Sequence, residues 1–384
     1  MKLNSLAKFS LLSISILLMS HLAISPVIPN LFRLYNAQNP NIGLASVESL
    51  ATIPAKMITV FVLLSNFIIK GIGKKNTVLL GLAMIFIFGL VPVFTINFKI
   101  VFISRLLLGA GIGLFNSLSI SMISDFFDED TRGTMIGMRT AFLNIGKALT
   151  TFISGYLIVY GVQYTFLVYA LALPIFVLFL VFVPNPKNNE SKQISIKFHK
   201  ETIILTLLTL LVGISYMGAT IKIPTLLIEK YHLHPEVSRN LLTILAISGI
   251  FSGFLFGKLV EKFKNLTLSI MLLFMTCGSF IFAIFQSSIL FTIGAILIGI
   301  SFVGTMSFNF FYISKKLENK YINFATSVIL VGGNIGVILT PVVLTKLPEI
   351  FRLEKYITPF YITTILMLIC TIISYFALKN DKKN

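Results

Sequence analysis

The stretch "LNIGKALT" (residues 143–150) sets a full positive charge, Lys147, in the middle of an apolar run long enough to cross a bilayer. An ammonium at the bilayer centre costs at least about 2.5–3.5 kcal/mol. Most of the same stretch returns about 190 residues later as "NIGVILTP" (334–341), with Val337 where the lysine stands. A membrane-length run that carries a charge, and a chain that repeats the run without it, govern the rest of the reading.

The 384 residues are 56% hydrophobic and 12% charged, with a mean hydropathy of +0.93. Apolar runs of about 18–25 residues follow one another from end to end, each sufficient for about 30 Å of hydrocarbon. Twelve spans are predicted, at 9–30, 44–66, 77–97, 100–124, 135–158, 164–183, 202–224, 241–257, 267–286, 289–312, 324–345 and 359–378. The basic start "MKLNSLAK" leads into the first of them without a small-residue cleavage site, so it reads as a span and not as a signal peptide. The fold class is an all-α integral membrane protein, with twelve helices in two pseudo-symmetric halves of six. Residues 1–183 form the first half, 184–201 a polar cytoplasmic linker and 202–384 the second half.

Charge tests this layout. With both termini inside, inner segments carry 20 of the 31 Lys and Arg residues, outer segments seven, and spans four: Lys56, Arg105, Lys147 and Lys222. That asymmetry is the positive-inside pattern and places a multi-pass protein in the cell membrane with cytoplasmic termini. It also accounts for the net charge of +17 as clusters at a lipid surface, with no nucleic-acid partner. Cys277 and Cys370 lie in apolar runs and form neither a metal motif nor a disulfide framework. There is no HExxH, no nucleophile motif and no nucleotide loop, so an enzyme and a cofactor are not expected.

Helical spacing shows how the polar residues share faces. Thr140, Asn144, Lys147, Thr151 and Ser154 form one stripe of span five. Ser49, Thr52, Lys56 and Thr59 do so in span two, and Arg105, Gly109, Ile112 and Asn116 in span four. Thr209, Gly213, Tyr216 and Thr220 line up in span seven, and His21 and Ser25 in span one. Lys222 lies near the outer end of span seven, where it can snorkel. Glu48 is placed near the outer end of span two, so no carboxylate is expected at the depth of the cations. A cavity with cations and no carboxylate attracts an anionic or electronegative solute.

Three local motifs resemble the major facilitator superfamily. "NFIIKGIGKK" (66–75) is a degraded form of the family pattern after span two, keeping Gly73, Lys74 and Lys75; "GKLVEKFKN" (257–265) is its second-half copy. "RLLLGAGIG" (105–113) is similar to the family's R-x-x-x-G pattern in span four. In layout the chain resembles the bacterial drug/proton antiporter branch, although Thr150-Thr151 stands where those members carry a Gly-Pro pair. The resemblance implies a monomeric secondary transporter in which spans one, four, seven and ten line a central cavity. The residues expected to meet the solute are Lys147, Arg105, Lys56, Asn116 and Tyr216, with His21 carrying a proton. Lys70, Asp125, Asp128 and Glu261 are expected to help gate the inner face. Partners are a small-molecule solute, a proton or counter-ion, and the lipid bilayer. Multidrug/proton antiport of hydrophobic compounds, through a pocket built from the 36 Phe and 12 Met, is the rival reading.

Overall fold

The computed structural model describes residues 4–127, 129–186, 199–317 and 319–379. Ten helices are long and apolar enough to cross a membrane, and two further bent pairs bring the number to as many as twelve. The bent pairs are the first and the eighth of the expected spans: Ser5–Leu17 with Ser20–Gln38, bent by 42°, and Pro235–Gly253 with Phe256–Phe263, bent by 59°. The chain divides into two compact units, Met1–Ser191 and Lys192–Asn384.

In the first unit, span one is broken because its sequence cannot sustain one helix. The run Ile14–Val27 is a series of 3-10 segments, Ile14–Leu17, Ser20–Leu22 and Ser25–Val27, with Pro26 and Pro29 at its end. Proline removes an N–H donor and disfavours a helical conformation in the residue before it, which accounts for the end of this run, while the bend between Leu17 and Ser20 lies ahead of both prolines. Leu44–Thr52 is followed by a turn at Ile53 and a new helix from Pro54. That helix runs to Phe94 and contains the turn between spans two and three at Gly73, with φ 80° and ψ 164°, a conformation that suits glycine. Span four is Phe98–Ile123, span five Met138–Tyr160 and span six Val162–Phe182.

The second unit holds span seven, Lys200–Lys230, span nine, Leu266–Ile284, and span ten, Ser288–Ile313. Span eleven is Phe324–Ile350 and span twelve Thr358–Phe376. Its core gathers Val212, Leu272, Met275, Phe282, Phe291 and Phe360, all fully buried or nearly so.

Lipid tails are as apolar as leucine, so helices in a bilayer associate through close packing and interhelical hydrogen bonds. Both units use glycine for this. A side chain at Gly146 of span five would strike the backbone of Ile16 in span one. One at Gly336 of span eleven would strike the backbone of Leu210 in span seven.

Candidate functional site

The polar centre of the first unit is built around the break in span one. Pro54 has no N–H to return to the carbonyl of Leu50, four residues back. Arg105 supplies the missing donor: its Nε lies 2.8 Å from the Leu50 oxygen. Nη2 of the same guanidinium donates to the carbonyl of His21, and Nη1 to the hydroxyl of Tyr169. That hydroxyl in turn donates a hydrogen bond to the carbonyl of Ser20 at 2.9 Å. Arg105 is fully buried, and its guanidinium also sits 5.4 Å from the centre of the Tyr169 ring. The fork therefore ties spans one, two, four and six, and it spends three N–H groups on protein atoms. Gly109, one turn on, allows the backbone of span four to approach Pro54.

Lys147 and His21 flank this knot. Lys147 is 2% exposed and His21 8% exposed. The charges of Lys147 and Arg105 both act on the His21 imidazole. His21 Nδ1 has no hydrogen-bond partner among the described residues, nor do the buried hydroxyls of Ser25 and Ser154. The polar stripe of span five is buried at Asn144, Lys147, Thr151 and Ser154 and exposed at Thr140. Asn144 Nδ2 donates to the Thr140 carbonyl at 3.0 Å.

Glu48 corrects one expectation. It is fully buried on Leu44–Thr52, two residues from the carbonyl that Arg105 holds, so the interior of this unit does contain a carboxylate. Its position was readable, since Leu44, Glu48 and Thr52 recur at the helical spacing of one face and all three are buried. Lys222 is the second correction. It does not reach an interface; it is 1% exposed and donates to Thr345 Oγ1 at 2.7 Å. Lys222 lies one turn before the π-helical turn Leu226–Lys230 and Thr345 lies within another, Val342–Lys346; these turns follow Pro224 and Pro341.

The remaining expected residues are dispersed. Lys56 is exposed, since the break at Ile53 separates it from the buried Thr52. Asn116 is half-buried at the end of the first helix of span four. Tyr216, in the second unit, is buried and stacked on Phe302, with ring centres 3.7 Å apart and planes 8° from parallel. Asn309 Nδ2 donates to Thr209 Oγ1 at 2.9 Å in the same unit. Among the expected gating residues, Asp125 pairs at 2.6 Å with Lys74, within one unit. Lys75 donates to the Leu180 carbonyl at 2.8 Å. Lys70 is exposed beside the Phe67 ring, and Glu261 is exposed. Asp128 lies outside the described residues. Tyr169 carries a structural role that no motif announced, whereas Lys74, which pairs with Asp125, belongs to the motif after span two. Among the described residues, no cluster of His, Cys, Asp and Glu could hold a metal ion.

Comparison with known proteins agrees with this architecture. The chain is 24% identical over 230 residues to an uncharacterized transporter of Rickettsia felis, covering 55% of this chain and 56% of that one. It is 26% identical over 202 residues to an uncharacterized transporter of Rickettsia bellii, covering half of each. The matched stretch thus spans about half the length of these relatives. Among solved structures, a D-xylose–proton symporter superposes with a TM-score of 0.74 at 14% identity, covering 95% of both chains. A bacterial homolog of the human lysosomal transporter Spinster, inward-facing and unoccupied, superposes at 0.70 with 13% identity over 97% of both. At such identities these structures speak for the fold alone. The family and the relatives indicate a transporter rather than an enzyme. The profile of the Major Facilitator Superfamily matches residues 10–341 and again 205–384, and the chain belongs to that family.

Proposed function

We propose that this protein is a secondary active transporter that moves a small organic solute, anionic or amphiphilic, by alternating access. The observation that carries this reading is Lys147: a cation buried on the polar stripe of span five, beside the break in span one. Burial disfavours the charged form of an ammonium and a nearby negative charge favours it, so a cation at this position suits an anionic group of a solute. The unsatisfied His21 Nδ1 and the hydroxyls of Ser25 and Ser154 provide further polar contacts for a solute. Arg105 serves this site by holding the carbonyls of span one in place. Lys56, Asn116 and Tyr216 remain candidate contacts, Tyr216 as an aromatic wall fixed by Phe302.

Transport is coupled to a proton or proceeds by exchange. His21 is the first candidate carrier, and the buried Glu48 joins it as the carboxylate that such coupling commonly uses. Lys70, Asp125, Asp128 and Glu261 are assigned to the inner face, where the Lys74–Asp125 pair braces one unit. Two six-helix halves, residues 1–183 and 202–384, move as a monomer in the plasma membrane with both termini cytoplasmic.

The rival is multidrug/proton antiport of hydrophobic compounds. Uptake and counterflow in proteoliposomes, with anionic and cationic solutes and with or without a pH gradient, separates the two. The anion reading expects anions to exchange and compete. Pumping of cationic dyes with no effect of anions would overturn it in favour of the rival.

A further inference from the structure

We propose that spans nine and twelve bind one anionic phospholipid, with an acyl chain in the groove between them and the phosphate on Lys262 and Lys264. The groove has a volume of about 340 Å³ and is lined by Leu266, Ile270 and Leu273 of span nine and Ile372, Tyr375 and Phe376 of span twelve. Leu273, Ile372 and Phe376 expose 43%, 50% and 61% of their surface there.

The polar groups beneath this surface are already satisfied. Ser269 and Ser374 are buried and hydrogen-bonded to each other at 2.8 Å. Ser374 Oγ also lies within donating distance of the Thr371 carbonyl, at 2.9 Å, and Thr371 Oγ1 donates to the Met367 carbonyl at 2.7 Å. The groove therefore accepts hydrocarbon and offers little to a polar solute.

Basic residues precede the groove in the chain. Leu266 opens span nine, Lys264 is exposed in the turn just before it, and Lys258, Glu261 and Lys262 are exposed on the last turns of the helix that ends at Phe263. Lys264 has φ 50° and ψ −128°, a backbone conformation that favours glycine. The turn is fixed by the Thr267 N–H on the Lys264 carbonyl at 3.1 Å and by Thr267 Oγ1 on the Leu259 carbonyl at 3.3 Å. Glycine would hold that turn with less strain, so what lysine adds is a charge beside the groove. The positive-inside count puts this end at the inner leaflet, where anionic headgroups collect. A phospholipid carries both a phosphate and a hydrocarbon chain.

Native mass spectrometry of the delipidated full chain, titrated with phosphatidylglycerol or phosphatidylcholine, tests this. Phosphatidylglycerol is expected to bind at least about tenfold more tightly, with each lysine contributing roughly fivefold. Lys262→Glu with Lys264→Glu should abolish the preference, and Ile372→Trp, which fills the groove, should weaken both lipids. Lys264→Gly should raise the melting temperature by relieving the turn while weakening phosphatidylglycerol binding, which separates binding from folding. Equal binding of the two lipids, or a preference that survives the double charge reversal, would overturn the proposal. So would competition by glycerol phosphate at concentrations equal to those of the lipid, since the site would then take a free phosphate and leave the groove without an occupant.

Discussion

Span five and span eleven share a stretch of sequence and differ in its charge. Each carries Asn-Ile-Gly followed four residues after the glycine by threonine. In each, the glycine admits a neighbouring backbone, Ile16 against Gly146 and Leu210 against Gly336. In each, the threonine hydroxyl returns to the glycine carbonyl, at 2.8 Å for Thr150 and 3.0 Å for Thr340. The packing has been kept and the chemistry has not. Lys147 is buried where Val337 is half-buried. The partner of span five is a broken helix held by an arginine, and the partner of span eleven is a helix unbroken from Lys200 to Thr225. Repeated structure in this chain therefore marks scaffold, and the departures from it mark the candidate site.

The largest test of that contrast is Arg105→Leu. It leaves the carbonyls of His21 and Leu50 and the Tyr169 hydroxyl without their donor in a buried setting, and a loss of about 3–5 kcal/mol is expected. The chain has no tryptophan, so melting is best followed with a thiol-reactive dye reporting on the buried Cys370. A variant as stable as the parent would show that the break in span one holds itself.

Glycine replacement comes next. Gly146→Val and Gly336→Val should each cost about 1–3 kcal/mol through overpacking, and by similar amounts. A large cost in one copy alone would mean that the shared packing is an accident of sequence.

Lys147→Ala should then reduce anion transport at least about tenfold, equivalent to about 1.4 kcal/mol, in protein that still purifies as a single species. Val337→Ala should leave transport unchanged. If Lys147→Ala transports normally, the lysine belongs to the scaffold after all.

The smallest effects concern two peripheral ion pairs. Lys74–Asp125 in the first unit is largely shielded, with Asp125 8% exposed, whereas Glu354 of the Lys230–Glu354 pair is 45% exposed. Asp125→Asn should cost more than Glu354→Gln, and the latter stays within the ~0–1 kcal/mol of exposed pairs. Partial burial raises the Glu354 carboxyl, but the Ile357 N–H, the Lys230 ammonium and the Tyr356 N–H outweigh it and hold it below its ordinary value. Its contribution is thus present at neutral pH and is lost as the pH falls below the usual glutamate range. Melting curves at pH 7 and pH 4 should show a larger cost of Glu354→Gln at the first than at the second.

Much of the fold was legible because a bilayer allows few solutions. Backbone polar groups must be satisfied within each span, so long apolar runs can only be helices. Lys147 was legible as a buried charge for the same reason, since its stripe has helical spacing. Lys222 was misread because distance from a span's end does not reveal whether a neighbouring helix covers it, and Thr345 does. Glu48 does lie near the outer end of span two, but its burial depends on the neighbouring helices that cover that end, which position along a span does not reveal.

By itself, then, the sequence determined the long apolar runs that form helices, the recurrence of one stretch about 190 residues on and the short list of cations within those runs. These depend on local composition and on periods of three to four residues. Tertiary structure decided which cation is tied to protein, because Arg105 meets partners 55, 64 and 84 positions away in the chain. No spacing rule connects an arginine to the carbonyl that a distant proline has left without a donor. Only the folding of four spans around one guanidinium does that.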